Sequence, residues 1–129
     1  MDSQREQSPI GEESPIVSAR RSDAIEAMRE VGAAGEVLRG MFEQLRTGLD
    51  LAIGQIQRGG TALEVAQSMQ LADRREELNA AAARVRKARH EFQRAMFLQA
   101  VAEGSSLAEI ARTWRVSRQL VSRMTKEID

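Results

Sequence analysis

The chain has 129 residues, with 19 Lys or Arg and 19 Asp or Glu, so its formal net charge is zero. It contains no cysteine, which excludes disulfide scaffolds, thiolate zinc sites and cysteine nucleophiles, and four aromatic residues are few for an all-β sandwich. No apolar run approaches the roughly 18 residues of a membrane span, and no signal peptide is evident. The abundance of good helix formers therefore predicts a cytoplasmic, mostly helical protein.

The zero net charge hides a division between the two ends of the chain. Residues 1–83 contain 9 basic and 14 acidic residues, a net charge of −5, whereas residues 84–129 contain 10 basic and 5 acidic residues, a net charge of +5. This asymmetry favours contact between the C-terminal third and a polyanion. The alternative is a solvated helix face with a local charge bias.

Residues 1–21 hold both prolines, in the repeated elements Ser8-Pro9-Ile10 and Ser14-Pro15-Ile16. Low hydrophobicity together with Pro, Ser, Glu and Gln is typical of a disordered tail. A docking motif or phosphorylated serines are possible functions of this tail, and a plain solvated segment is the alternative.

Residues 22–87 are predicted to form a long antiparallel helical hairpin. Ser22 is the expected N-cap of its first helix. Apolar residues then recur at steps of three and four, the spacing of a packed helical seam. The seam comprises Met28, Val31, Leu38, Phe42, Leu45, Leu49, Ala52 and Ile56. Five glycines inside this segment predict a helix that either needs a partner or breaks.

The pair Gly59-Gly60 is expected to end the first helix, because glycine adopts the left-handed conformation of a helix cap. The sequence from Thr61 to Glu64 is a capping box, which predicts a new helix. Whether residues 61–103 form one continuous helix or bend near Asn79 or His90 stays open. Apolar residues on two sides of each helix favour pairing with a second copy, which makes the hairpin the expected dimerisation region.

Two polar clusters in this part of the chain have competing interpretations. The basic run from Arg84 to Arg94 either contacts phosphates or forms a solvated face. Glu76 and Glu77, with Asp73, could hold a cation, but acidic residues on a helix usually pair with neighbouring arginines. There is no Gly-rich phosphate loop and no metal-ligand cluster. We therefore expect no enzymatic activity, no catalytic residue, no cofactor and no metal.

Residues 88–129 are predicted to form a trihelical domain. Gly104 is expected to end one helix, and the capping box from Ser106 to Glu109 begins the next. Ser117 is the expected N-cap of the last helix. The expected core residues are Phe92, Met96, Phe97 and Val101 on the first helix, Ile110, Ala111 and Trp114 on the second, Val116 in the turn, and Leu120, Val121 and Met124 on the last.

The run LAEIARTWRVSRQLVSRM, from Leu107 to Met124, resembles the helix-turn-helix of bacterial DNA-binding proteins. It is most similar to the units of serine-recombinase tails, sigma-factor-like regions and small actinobacterial regulators. Ala111 lies where two helices of that motif cross. Arg115 departs from the motif, which usually has a left-handed glycine there, and a non-glycine residue costs about 1 kcal/mol in that conformation.

The resemblance implies that the helix after Ser117 enters the major groove of duplex DNA. Arg118, Gln119, Ser122 and Arg123 are then the expected base contacts. The expected phosphate contacts are Arg112, Thr113, Arg115, Ser117 and Lys126.

Together these observations predict an all-α protein in which a long helical hairpin precedes a helix-turn-helix domain. The expected function is that of a dimeric, sequence-specific bacterial transcriptional regulator, cytoplasmic and nucleoid-associated, with no membrane contact. The alternative is a coiled-coil adaptor or chromosome-organising protein whose hairpin binds a protein partner.

Overall fold

A computed structural model describes residues 14–126 and contains five α-helices and no strand within them, which confirms the all-α class. The helices are α1 (Pro15–Gln57), α2 (Ala62–Met69), α3 (Leu71–Ala102), α4 (Leu107–Trp114) and α5 (Arg118–Lys126). Contacts divide the chain into two units. One comprises residues 30–88, and the other comprises residues 14–29 together with residues 89–126.

Helix α1 begins earlier than the sequence analysis predicted. The Ser14 Oγ accepts a hydrogen bond from the backbone N–H of Val17 at 3.1 Å, and Pro15 occupies the first helical position. Serine is a favoured N-cap, and proline suits the first turn because its missing N–H has no helical partner there. The prediction of Ser22 as the N-cap is therefore wrong, and residues 15–21 are helical. The remainder of the predicted tail, residues 1–13, lies outside the described residues.

The same helix continues unbroken past Gly32, Gly35, Gly40, Gly48 and Gly54. It ends as predicted at the glycine pair, where Gly59 has φ +94°. The N–H of Gly59 donates to the Ile56 carbonyl and the N–H of Gly60 donates to the Gln55 carbonyl, at 3.0 and 2.9 Å. This pattern is a Schellman cap.

The predicted capping box opens α2. The Thr61 hydroxyl accepts from the Glu64 N–H at 3.2 Å, and the Glu64 carboxylate accepts from the Thr61 N–H at 2.9 Å. The helix then stops after one short stretch, because Gln70 adopts a left-handed conformation with φ 54°. The break thus lies at Gln70, and both Asn79 and His90 lie inside the continuous helix α3.

Within the unit of residues 30–88, α3 runs back antiparallel to α1. Met41 and Leu45 of α1 line the same groove as Leu71 and Leu78 of α3. Arg84 donates to both carboxylate oxygens of Glu30 at 2.8 and 3.0 Å. Helix α2 covers the end of α1 through a small cluster of Ala52, Val65 and Met69. The buried residues of this unit are otherwise alanines: Ala34, Ala81 and Ala88.

The other unit contains the largest buried side chains. Phe97 on α3, Ile110 and Ala111 on α4, and Val121 and Met124 on α5 form one core cluster. Trp114, Leu107, Val116 and Leu120 are partly buried against it. The rings of Phe97 and Trp114 meet edge to face, with centroids 5.2 Å apart, and this packing holds α4 and α5 onto the end of α3.

Candidate nucleic-acid interface

Helix α5 is held at its first turn by Ser117. The Ser117 Oγ accepts from the Leu120 N–H at 3.0 Å, as expected of the predicted N-cap. Val121 and Met124 are buried on one side of the helix, at 0 and 2% exposure. This burial fixes the rotation of α5 about its axis, so the opposite face has a defined set of side chains.

The opposite face carries the predicted base-contact residues. Their spacing of three and four residues places Arg118, Gln119, Ser122, Arg123 and Lys126 on one side of α5, away from the core. All of them are exposed except Ser122, which is half-buried. The structure therefore brings the four predicted base contacts and one predicted phosphate contact onto a single face.

The remaining predicted phosphate contacts lie before α5. Arg112 and Thr113 are exposed residues of α4, and Arg115 is exposed in the turn. Within residues 14–126, no hydrogen bond or ion pair is found between these three side chains and those on the exposed face of α5. The two groups are linked through the shared core beneath them, since Ala111 and Val121 belong to the same cluster.

The turn between α4 and α5 places a non-glycine residue, Arg115, in the left-handed conformation that glycine usually adopts. Arg115 has φ 57° and ψ 46°, in the left-handed region. Its N–H donates to the Arg112 carbonyl, and the N–H of Val116 donates to the Ala111 carbonyl at 3.0 Å. This is the same cap that Gly59 provides at the end of α1, here made by an arginine.

Replacing Arg115 by glycine is expected to stabilise the protein by about 1 kcal/mol, because glycine has no Cβ to strain the left-handed backbone. The measurement is the free energy of unfolding in urea. Arg112→Gly is the matched control, since it also removes a cation but lies inside α4, where glycine destabilises by about 1 kcal/mol. Equal destabilisation by the two substitutions would contradict the left-handed turn.

The start of α4 is fixed by the second predicted capping box. The Ser106 Oγ accepts from the Glu109 N–H at 3.1 Å, and the Glu109 carboxylate accepts from the Ser106 N–H at 2.8 Å. This backbone hydrogen bond, followed by the Ser106 hydroxyl and the charge of Arg112, lowers the pKa of Glu109 below its ordinary value. Glu109 therefore stays ionised and engaged at the helix N-terminus.

The charge of this region is of one sign. From Ile110 to Lys126 the sequence contains five basic residues and no acidic residue. Within the part of the chain that the structure describes, no ion pair involves Arg115, Arg118, Arg123 or Lys126. These four cations form an exposed positive surface, which is the electrostatic pattern that attracts a polyanion.

Among the described residues, the first residue of the basic run on α3 is ion-paired, unlike the cations of α5. That residue, Arg84, forms a bidentate ion pair with Glu30, and this contact raises the pKa of Arg84. Its charge is thus neutralised within the hairpin. His90 is exposed on the same helix. Between residues 14 and 126, no group of three His, Asp or Glu side chains is arranged to hold a metal ion.

Sequence reasoning missed the two-sided character of the α1 seam. Val31, Leu38 and Leu45 are largely covered by neighbouring residues. Phe42 and Leu49 from the same seam are exposed, at 50 and 47%. Phe42 and Leu49 lie on a line about 40° from that of Leu38 and Leu45, but the sequence alone does not show which of the two lines faces α3.

Comparisons with known proteins add no relative: no family model, curated protein or solved structure matches this chain. None of the helices within residues 14–126 combines the length and the apolar character needed to cross a membrane.

Proposed function

We propose that this protein binds duplex DNA in a sequence-specific manner, with α5 lying in the major groove. The observation that carries the proposal is the exposed face of α5, which presents Arg118, Gln119 and Arg123 from a helix fixed by its core and its N-cap. The major groove accommodates one α-helix, and arginine and glutamine are the side chains that pair bidentately with guanine and adenine. The expected role is transcriptional regulation in a bacterium.

The flanking residues supply affinity in this proposal. Arg112, Thr113, Arg115 and Ser117 precede α5 in sequence, Lys126 lies at its C-terminal end, and all five are exposed. The free N–H groups at the start of α5 add a favourable position for a phosphate. Contacts of this kind set the register of a protein on DNA, and they make binding sensitive to salt.

A second candidate function is a protein-binding adaptor. The observation that favours it is the exposure of large apolar side chains on the hairpin, such as Leu51 and Ile53 at 66 and 55%. Large exposed apolar surfaces mark interaction sites. In that case the C-terminal unit tethers the hairpin to DNA or to another protein.

Capture of fragmented genomic DNA on the purified protein, followed by sequencing at two salt concentrations, tests the proposal. A short motif that survives the higher salt supports a sequence-specific regulator. Broad binding that disappears with salt indicates a chromosome-organising role dominated by phosphate contacts. Recovery of no DNA at either salt concentration contradicts DNA binding and favours the adaptor.

Arg118→Ala and Gln119→Ala are each expected to weaken binding to the recovered motif by about 1–3 kcal/mol while the protein stays folded. Loss of a bidentate base contact is the physical reason, and fluorescence anisotropy with a labelled duplex is the measurement. Arg46→Ala and Gln67→Ala are matched controls, because both residues are exposed on the hairpin. Unchanged affinity in both test variants would show that α5 does not read the bases.

A further inference from the structure

On α1 and α3, the fully buried residues of the hairpin are small, whereas several of its large apolar residues are exposed. Within residues 30–88 the buried positions on α1 and α3 are all alanines. Phe42, Leu49 and Ile56 are 50, 47 and 50% exposed in the same segment. Two helices that bury mainly methyl groups gain little hydrophobic free energy, so this unit has unused apolar surface.

Three exposed apolar residues of α1 form, with the half-buried Gly35, a line along one edge of the contact between α1 and α3. Gly35, Phe42, Leu49 and Ile56 are separated by seven residues each, which is two helical turns. At about 100° per residue, Leu49 lies about 60° to one side of the buried Ala52, and Leu51 lies about 100° to the other side.

Helix α3 adds a second line of apolar residues on the same edge. About the buried Ala81, Leu78 and Val85 lie about 60° and 40° to one side, and Arg84 lies about 60° to the other. The pair between Arg84 and Glu30 marks one edge of the hairpin. In an antiparallel pair, the line through Phe42 and the line through Leu78 must then both lie on the opposite edge.

We infer that this apolar edge, formed by Gly35, Phe42, Leu49 and Ile56 on α1 and by Leu71, Leu78 and Val85 on α3, binds the same edge of a second copy of this chain. Two hairpins joined in this way form a four-helix bundle with a two-fold interface. The inference does not rest on DNA binding, because it concerns only the hairpin.

The size of the edge fits a stable dimer. From Gly35 to Ile56, α1 rises about 32 Å, and two adjacent helices are about 20 Å wide. The resulting area of about 600 Å² per copy is close to the roughly 800 Å² per partner of a standard protein interface. An edge of this length is therefore large enough for a specific contact between two copies.

The charges beside the edge are mixed on α1 and basic on α3. Glu43 is already ion-paired with Arg39 of the same helix, at 3.1 Å. Arg46 and Asp50 also lie beyond the apolar line on α1, and Arg75 and Arg86 lie beyond it on α3. The inference of a second copy therefore rests on the apolar surface and its size, and not on the charges.

The molecular mass of the full chain in solution, measured by sedimentation without DNA, tests the inference. We expect a species of twice 14.3 kDa for the native protein. Leu49→Glu places a charge in the interface and should raise the dimer dissociation constant by about 100-fold or more. Leu51→Glu is the matched control on the opposite edge and should leave the dimer intact. Circular dichroism verifies that both variants keep the native helical content.

A second measurement avoids a charged substitution. Because the chain has no cysteine, Leu49→Cys and Leu51→Cys each introduce one thiol. In the dimer, the thiol at position 49 should react with maleimide at least about 10-fold more slowly than the thiol at position 51, since only the first is covered. A monomeric native chain at submillimolar concentration, equal dissociation of the two glutamate variants, or equal thiol reactivity would overturn the inference. A negative DNA-binding result would leave it unaffected.

Discussion

Replacing Phe97 by alanine is expected to destabilise the unit that contains α4 and α5 by about 3–5 kcal/mol. Phe97 is fully buried at 0% exposure, and its ring is the aromatic side chain at the centre of the cluster that includes Ile110 and Val121. Its removal leaves a cavity and deletes the edge-to-face contact with Trp114. Because α4 and α5 are short helices, they depend on this packing more than on their intrinsic helix propensity.

Trp114 is the only tryptophan of the chain, so its fluorescence reports directly on this unit. Urea unfolding followed by that fluorescence measures the loss of stability. Val101→Ala is the matched control, since Val101 lies on the same helix and is 41% exposed. The prediction of Val101 as a core residue is therefore wrong. Substitution of Val101 should cost well under half as much. Similar losses for the two variants would show that Phe97 does not organise the core.

The ends of several helices could be predicted from the local sequence. Both capping boxes were predicted from four residues each, because Thr61 and Ser106 bond to groups only three positions away. The end of α3 at Gly104 was also predicted, since glycine adopts positive φ values that other residues rarely adopt. Each of these signals is complete within a few residues and needs no tertiary contact.

The start of α1 and the break at Gln70 were not predicted, for two different reasons. The N-cap of α1 is present in the sequence as Ser14-Pro15, but the low hydrophobicity of its surroundings suggested a disordered tail. The break at Gln70 involves a residue with no preference for a left-handed conformation. The break precedes a change of helix that packs Val65 and Met69 of α2 on Ala52 of α1, a contact that is not local in sequence.

The candidate interface was predictable to the level of a helix face but not to the level of each side chain. The burial of Val121 and Met124 was predicted from the apolar spacing of α5. This burial determines which residues of α5 face outward. The half-buried position of Ser122 did not follow, because it depends on how closely α4 and α5 pack. The spacing in α1 likewise predicted one seam. Only the observed pairing with α3 divides that seam into partly buried residues, such as Leu38 and Leu45, and exposed residues, such as Phe42 and Leu49.

The substitution Leu49→Glu is expected to lower the affinity for an inverted-repeat DNA by about 100-fold or more, although Leu49 lies far in sequence from α5. The reason is that a dimer binds two half-sites, about 34 Å or a multiple of it apart, in one event. After α5 of one copy has bound its half-site, α5 of the other copy is held close to the second half-site at a high effective concentration. A monomer loses this advantage while it keeps every contact within one half-site.

A duplex that carries one half-site separates loss of the dimer from damage to α5. On that duplex, Leu49→Glu and the native protein should bind with equal affinity, whereas Arg118→Ala should bind more weakly. On the full repeat, both variants should bind more weakly than the native protein, and Leu51→Glu should match it. If Leu49→Glu bound the full repeat as tightly as the native protein, recognition by a dimer formed through this apolar edge would be excluded.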